Sequence, residues 1–123
     1  MRNSAAIRER YLRDGLPVRL GGLAANLARV SSRSRNTADE AVVGALIEEC
    51  KWFIEWTAAD FLPDSVDAAA QLVELQIELA GWQAGWCSRW PDDIERARMG
   101  ATARRWSERL LEMSGLLGRP AAG

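Results

Sequence analysis

Residues 91–117 read PDDIERARMGATARRWSERLLEMSGLL, and within them Met99, Ala103, Trp106, Leu110, Met113 and Leu117 follow one another at alternating steps of four and three. That spacing lays six apolar side chains along one face of an α-helix, a seam suited to near-parallel packing against neighbouring helices. Pro91 with Asp92 and Asp93 starts this helix. Trp106 therefore belongs to a core.

Upstream segments repeat the pattern. Residues 65–90 follow a tight corner at Pro63 and Asp64, and residues 37–61 open on an Asn36 or Thr37 cap with Asp39 and Glu40 in the first turn, where the helix dipole favours acids. The core stripe of 37–61 is Val43, Leu46, Ile47, Cys50, Phe53, Ile54 and Thr57. Residues 16–30 begin at Pro17 and place Leu16, Leu20, Leu23, Leu27 and Val30 on one stripe, with Gly21 and Gly22 weakening the start and a linker over 31–36. A short helix over 4–13 precedes it, with Gly15 suited to stop it in a left-handed conformation. Strand-type alternation is missing, and Ala, Leu, Glu and Arg dominate. The expected fold is all-α, an up-and-down four-helix bundle with a short additional N-terminal helix. It fills one domain over 1–123, in which 1–15 is that helix or an arm and 118–123 a flexible Gly, Pro and Ala tail.

A chain of 123 residues, 48% apolar and 27% charged, has the composition of one folded globular domain. No apolar run approaches the roughly 18 residues that cross a bilayer, and residues 1–11 are too charged for a signal-peptide core. A cytoplasmic location is expected. Cys50 and Cys87 agree with it as free thiols: in an antiparallel hairpin turning near Pro63, Cys50 faces about Gln76, some 16 Å short of Cys87 at about 1.5 Å per residue. Bridged Cα atoms lie within about 7 Å.

The chain contains no histidine, which removes the commonest general base and the commonest zinc or non-haem iron ligand. Glu48, Glu49, Glu55, Glu74 and Glu78 fall on polar faces without the Glu-x-x-His pairs of di-iron bundles, so they read as solvated carboxylates. Ser, Cys and Lys lack a visible activating base, and no glycine-rich phosphate loop is present. The expectation is no enzyme, no cofactor and no metal.

Residues 65–90 carry the most information about partners. Their polar residues, Asp67, Gln71, Glu74, Glu78 and Arg89, form one narrow stripe, leaving two apolar seams. One is Val66, Ala70, Val73, Ile77, Ala80, Ala84 and Cys87; the other is Ala68, Leu72, Leu75, Leu79, Trp82, Trp86 and Trp90. Either the segment is a central helix enclosed by its own chain, or one seam meets a second copy. The interface expectation centres on Leu72, Leu75, Leu79, Trp82, Trp86 and Trp90, joined by Trp52 and Trp56, which lie off the core stripe of 37–61 and so face outward or sit beneath the N-terminal helix. A Trp-lined pocket from Trp82, Trp86 and Trp52 for a small molecule is an alternative.

Charge follows a basic, acidic, basic order: +6 over 1–36, −11 over 37–95 and +4 over 96–123. Either the basic outer helices complement the acidic middle, within the bundle or across a dimer, or Arg8, Arg10, Arg13, Arg98, Arg105 and Arg109 form a surface for nucleic acid. A pI near 5.5 weighs against the latter. The expected function is a non-enzymatic interaction or regulatory protein that self-associates, with itself or another protein as partner and no membrane contact.

Overall fold

The computed structural model describes residues 4–61 and 66–115, and all of its regular structure is helical. The described elements are α1 (Ser4–Leu12), α2 (Leu16–Arg33), a 3-10 turn (Thr37–Asp39), α3 (Glu40–Phe61), α4 (Val66–Gln83), α5 (Trp86–Arg89) and α6 (Asp93–Ser114). The corner expected at Pro63 and Asp64, Leu117 at the end of the seam, and the 118–123 tail lie outside the described residues.

Start signals act where the residues place them. Asn36 accepts a hydrogen bond from the Ala38 N–H, and Asp92 accepts from Ile94 and Glu95. Pro17 sits in the first turn of α2, where its missing N–H has no intrahelical acceptor to lose. Gly15 differs from the expectation: its φ of −69° is ordinary extended backbone at the head of α2. The residues expected as a linker over 31–36 begin with another turn of helix, in which Ser32 and Ser34 close back on the chain, Ser32 Oγ donating to the Arg29 carbonyl and Ser34 Oγ to the Ser31 carbonyl.

The largest difference is in 65–90, which is not one helix. It breaks at Gly85, whose φ of +69° is left-handed, a region glycine enters without the steric cost of a Cβ. The i, i+4, i+8 ladder of Trp82, Trp86 and Trp90 is therefore interrupted after its first member. At the other end, Gly115 with φ +72° stops α6 after Ser114.

The most extensive helix pairing is α2 with α6, followed by α2 with α3 and α3 with α4. Small residues bring α2 and α6 together. A Cβ on Gly100 would lie 2.8 Å from Ser34 Oγ, and Ser107 Oγ donates to the Ala24 carbonyl at 2.8 Å. Leu20, Leu23, Leu27, Val30, Met99, Ala103 and Leu110 fill the buried contact around them. Each large aliphatic side chain removed from water contributes about 1.5–3 kcal/mol.

One charge is buried in this contact. The Arg96 side chain is only 10% exposed. Its Nε donates to the Ser34 carbonyl at 2.8 Å, Nη1 to the Trp90 carbonyl at 2.8 Å, and Nη2 to Asp93 at 2.8 Å. Replacing Arg96 by methionine keeps much of the aliphatic bulk but leaves two buried carbonyls unpaired. Arg96→Met is expected to lower the unfolding free energy by about 2–4 kcal/mol in urea titration, against about 0.5 kcal/mol or less for Arg98→Met on the exposed side of the same helix.

Candidate functional site

Helix α4 has two apolar faces, and the fold covers one. Ala69, Leu72, Leu75, Leu79 and Trp82 are buried against the rest of the chain. Of the residues expected at an interface, Leu72, Leu75, Leu79, Trp82 and Trp90 are thus inside the single chain, and the break at Gly85 explains why Trp90 leaves the line of α4. Trp90 stacks on Trp86 with ring centroids 5.3 Å apart. Its indole N–H donates to the Thr37 carbonyl and that of half-buried Trp86 to Glu40, fastening α5 to the start of α3. Trp52 and Trp56 are half-buried and stacked at 6.1 Å. Trp56 also lies 5.9 Å from Tyr11, so it is partly covered by α1.

The other face of α4 is open. Val66 is 71% exposed, Val73 53% and Ile77 67%, and Ala70, Ala80 and Ala84 between and beyond them are exposed as well. These six residues alternate steps of four and three, the spacing of a two-helix seam. Helix α4 rises about 27 Å over its 18 residues at about 1.5 Å per residue, so the strip runs its whole length. Its flanks differ chemically. Asp67 and Glu74 are exposed along one edge, whereas the other carries Gln76 and Gln83. Gln83 accepts from Lys51 at 2.7 Å and donates to Glu48 at 3.2 Å. Cys87 is exposed, but lies beyond the Gly85 break.

The basic residues are distributed over separate elements. Arg8 and Arg10 are exposed on α1, which packs on α3, and Arg13, exposed just past its end, pairs with Glu9 at 3.1 Å. On α6, Arg98 pairs with Glu95 at 3.5 Å, Arg105 donates to Thr102, and the Arg109 guanidinium lies 4.3 Å from the Trp106 ring centroid. Trp82 and Trp86 line different clefts, the first of about 280 Å³ with Arg89 and Arg98, the second of about 550 Å³ with Thr37 and Glu40. No group of three Asp, Glu or Cys side chains suited to a metal ion occurs among the described residues.

Tyr11 is a buried polar junction that its place among N-terminal charges conceals in the sequence. Its hydroxyl donates to the Arg19 carbonyl at 3.0 Å and lies 2.9 Å from Thr57 Oγ1, which donates to it because the single phenolic proton is engaged. The ring stacks on Phe53 at 4.0 Å. One residue thereby joins α1, α2 and α3. Its only sequence sign is a four-residue spacing from Ile7, which packs against the core too.

Burial pushes the Tyr11 hydroxyl up to about 12, the Thr57 hydrogen bond acting in the opposite sense, and burial pushes the Cys50 thiol up to about 12. Protein-family models, curated proteins and solved structures were searched, and none matches the chain.

Both raised groups favour the neutral native form. Their contribution is whole below their ordinary values of 9 for Cys50 and 10 for Tyr11, and is lost as pH climbs toward 12. Denaturant titrations are expected to show stability falling above about pH 9, less steeply in Tyr11→Phe. In native protein a thiol reagent should modify Cys87 quickly and Cys50 only on unfolding.

Proposed function

We propose that the protein is a non-enzymatic interaction protein working as a homodimer, two copies joined along the outer face of α4. The observation that carries this reading is the exposed strip of Val66, Ala70, Val73, Ile77, Ala80 and Ala84, with large aliphatic side chains open to water at coiled-coil spacing. The strip lies on the same helix as the residues from which the sequence led us to expect self-association, turned to the opposite face.

Charge selects the arrangement of the two copies. In an antiparallel pair like flanks meet, setting Asp67 and Glu74 against the partner copy's acids. In a parallel pair unlike flanks meet, setting them toward the edge that carries Gln76 and Gln83, where Lys51 and Glu48 offset each other. The parallel two-fold pair is therefore the one we favour. Two free thiols suit a reducing compartment, consistent with a cytoplasmic protein. We further infer that α2, α3, α4 and α6 form an up-and-down bundle. Ser34 lies beside Gly100 and Ala24 beside Ser107, while Thr37 meets Trp90 and Glu48 meets Gln83, so successive contacts pair rising numbers on one helix with falling numbers on the next.

Light scattering after size exclusion is expected to give the mass of two chains for the wild type and of one for Val73→Glu and Ile77→Glu, which keep their helicity and a cooperative melt but melt at a lower temperature without the partner copy. Leu79→Glu, a charge placed in the core, should instead unfold the chain. A monomeric wild type overturns the reading. In a Cys87→Ser background, Val73→Cys should form a disulfide-linked dimer on oxidation if the pair is parallel, because equivalent seam positions then face each other across the axis.

A further inference from the structure

A second surface feature lies away from α4, where the C-terminal end of α2 meets the first half of α6. A cleft of about 380 Å³ opens there between Ser31, Ser34 and Arg35 on one side and Arg96, Gly100 and Arg104 on the other. It is open because the α6 residues that floor it are small: Ala97, Gly100 and Ala101. Three guanidinium groups line it against one carboxylate, Asp93, which already pairs with Arg96 at 2.8 Å.

The three arginines are not equivalent. Arg96 is buried and fixed by hydrogen bonds to Ser34, Trp90 and Asp93, so it contributes a rigid positive charge at no further ordering cost. Three of its five N–H donors are used in those bonds. Arg35 and Arg104 are exposed and, among the described residues, make neither an ion pair nor a side-chain hydrogen bond. Their neighbours on α6, Arg98, Arg105 and Arg109, are each engaged by Glu95, Thr102 or Trp106. Among the arginines of α2, of α6 and of the residues just after α2, the two unengaged guanidiniums are thus the two that flank the cleft; Arg8 and Arg10 on α1 are unengaged as well but lie away from it.

The α2 carbonyls, which would otherwise repel an anion, are partly neutralised. Ser34 Oγ occupies the Ser31 carbonyl and Arg96 Nε the Ser34 carbonyl. What remains is a concave site with a formal surplus of two positive charges and planar donors, which suit a tetrahedral dianion better than a single carboxylate. Its volume exceeds that of phosphate alone and falls near the lower end of small-ligand pockets.

We propose that this cleft binds a phosphate dianion, free or as the head of a small phosphomonoester, held by Arg35 and Arg104 over the fixed charge of Arg96. The proposal does not depend on dimerisation through α4. Calorimetric titration of the full chain at low ionic strength with inorganic phosphate, and separately with glycerol 3-phosphate, tests it. Saturable binding with one site per chain is expected, weakened about tenfold or more in Arg35→Gln/Arg104→Gln and within about twofold of wild type in Arg98→Gln/Arg105→Gln. Both pairs of substitutions fall on exposed side chains, so circular dichroism melting should remain at the wild-type value. Tighter binding of glycerol 3-phosphate identifies a phosphomonoester as the ligand, and equal or better binding of inorganic phosphate identifies the free ion. Absence of saturable binding to either probe, or equal loss in the two double variants, overturns the proposal.

Discussion

A buried guanidinium between α2 and α6 sets the geometry on which the other helices depend. Arg96 closes the last carbonyls of α2 and α5 and reaches Asp93 in its own first turn, while its cation lies 5.6 Å from the centroid of the Trp90 ring. Taking such a charge out of water is costly unless its partners are in place, so the arrangement is all or nothing: α2, α5 and α6 must meet together. Once they do, Gly100, Ala103 and Ser107 let the backbones approach, α3 packs on α2, and α4 follows on α3.

The division of the chain into basic ends and an acidic middle has a modest part in this. Where the basic N-terminal third touches the acidic middle, the contacts are polar and mostly peripheral: Arg33 with Asp39 at 3.5 Å, and Asn26 donating to Glu49 at 3.1 Å. Exposed pairs of this kind contribute about 1 kcal/mol or less. The helices are held by apolar burial and by a few satisfied buried polar groups, Arg96 and Tyr11 foremost. The segregated charge therefore contributes little to holding the helices together.

The sequence made the helices legible because their signals are local. The seam from Met99 to Leu110, the core stripe from Val43 to Thr57, and the cap at Asn36 are read from residues a few positions apart. What was not legible depends on three-dimensional meetings. The two faces of 65–90 are nearly equal in apolar content, so periodicity alone left open which one the fold would cover, and the leucine and tryptophan side went inward. The break at Gly85 was masked by an apolar pattern that continues past it. Arg96 did leave a sign, since it stands three residues before Met99 and extends the α6 seam with a charge. Arg35 and Arg104 left none, because they become neighbours only when α2 crosses α6.

Helix α4 rests chiefly on α3 and touches α6 only lightly, while its N-terminal cap lies beyond the described residues and its C-terminal end stops at a left-handed glycine. In a molecule built this way cooperativity is uneven. Among the long helices the α2–α6 pair has the most extensive contact and α4 the least, so the α3–α4 boundary is the one along which a long helix would separate with the least loss of packed surface. Such an opening would present the leucine face of α4 to solvent beside the valine and isoleucine face that is always there, making the helix apolar around most of its circumference. A second chain covering the outer strip would hold α4 in place and withdraw both faces from aggregation, so that association and conformational integrity of this helix become one equilibrium.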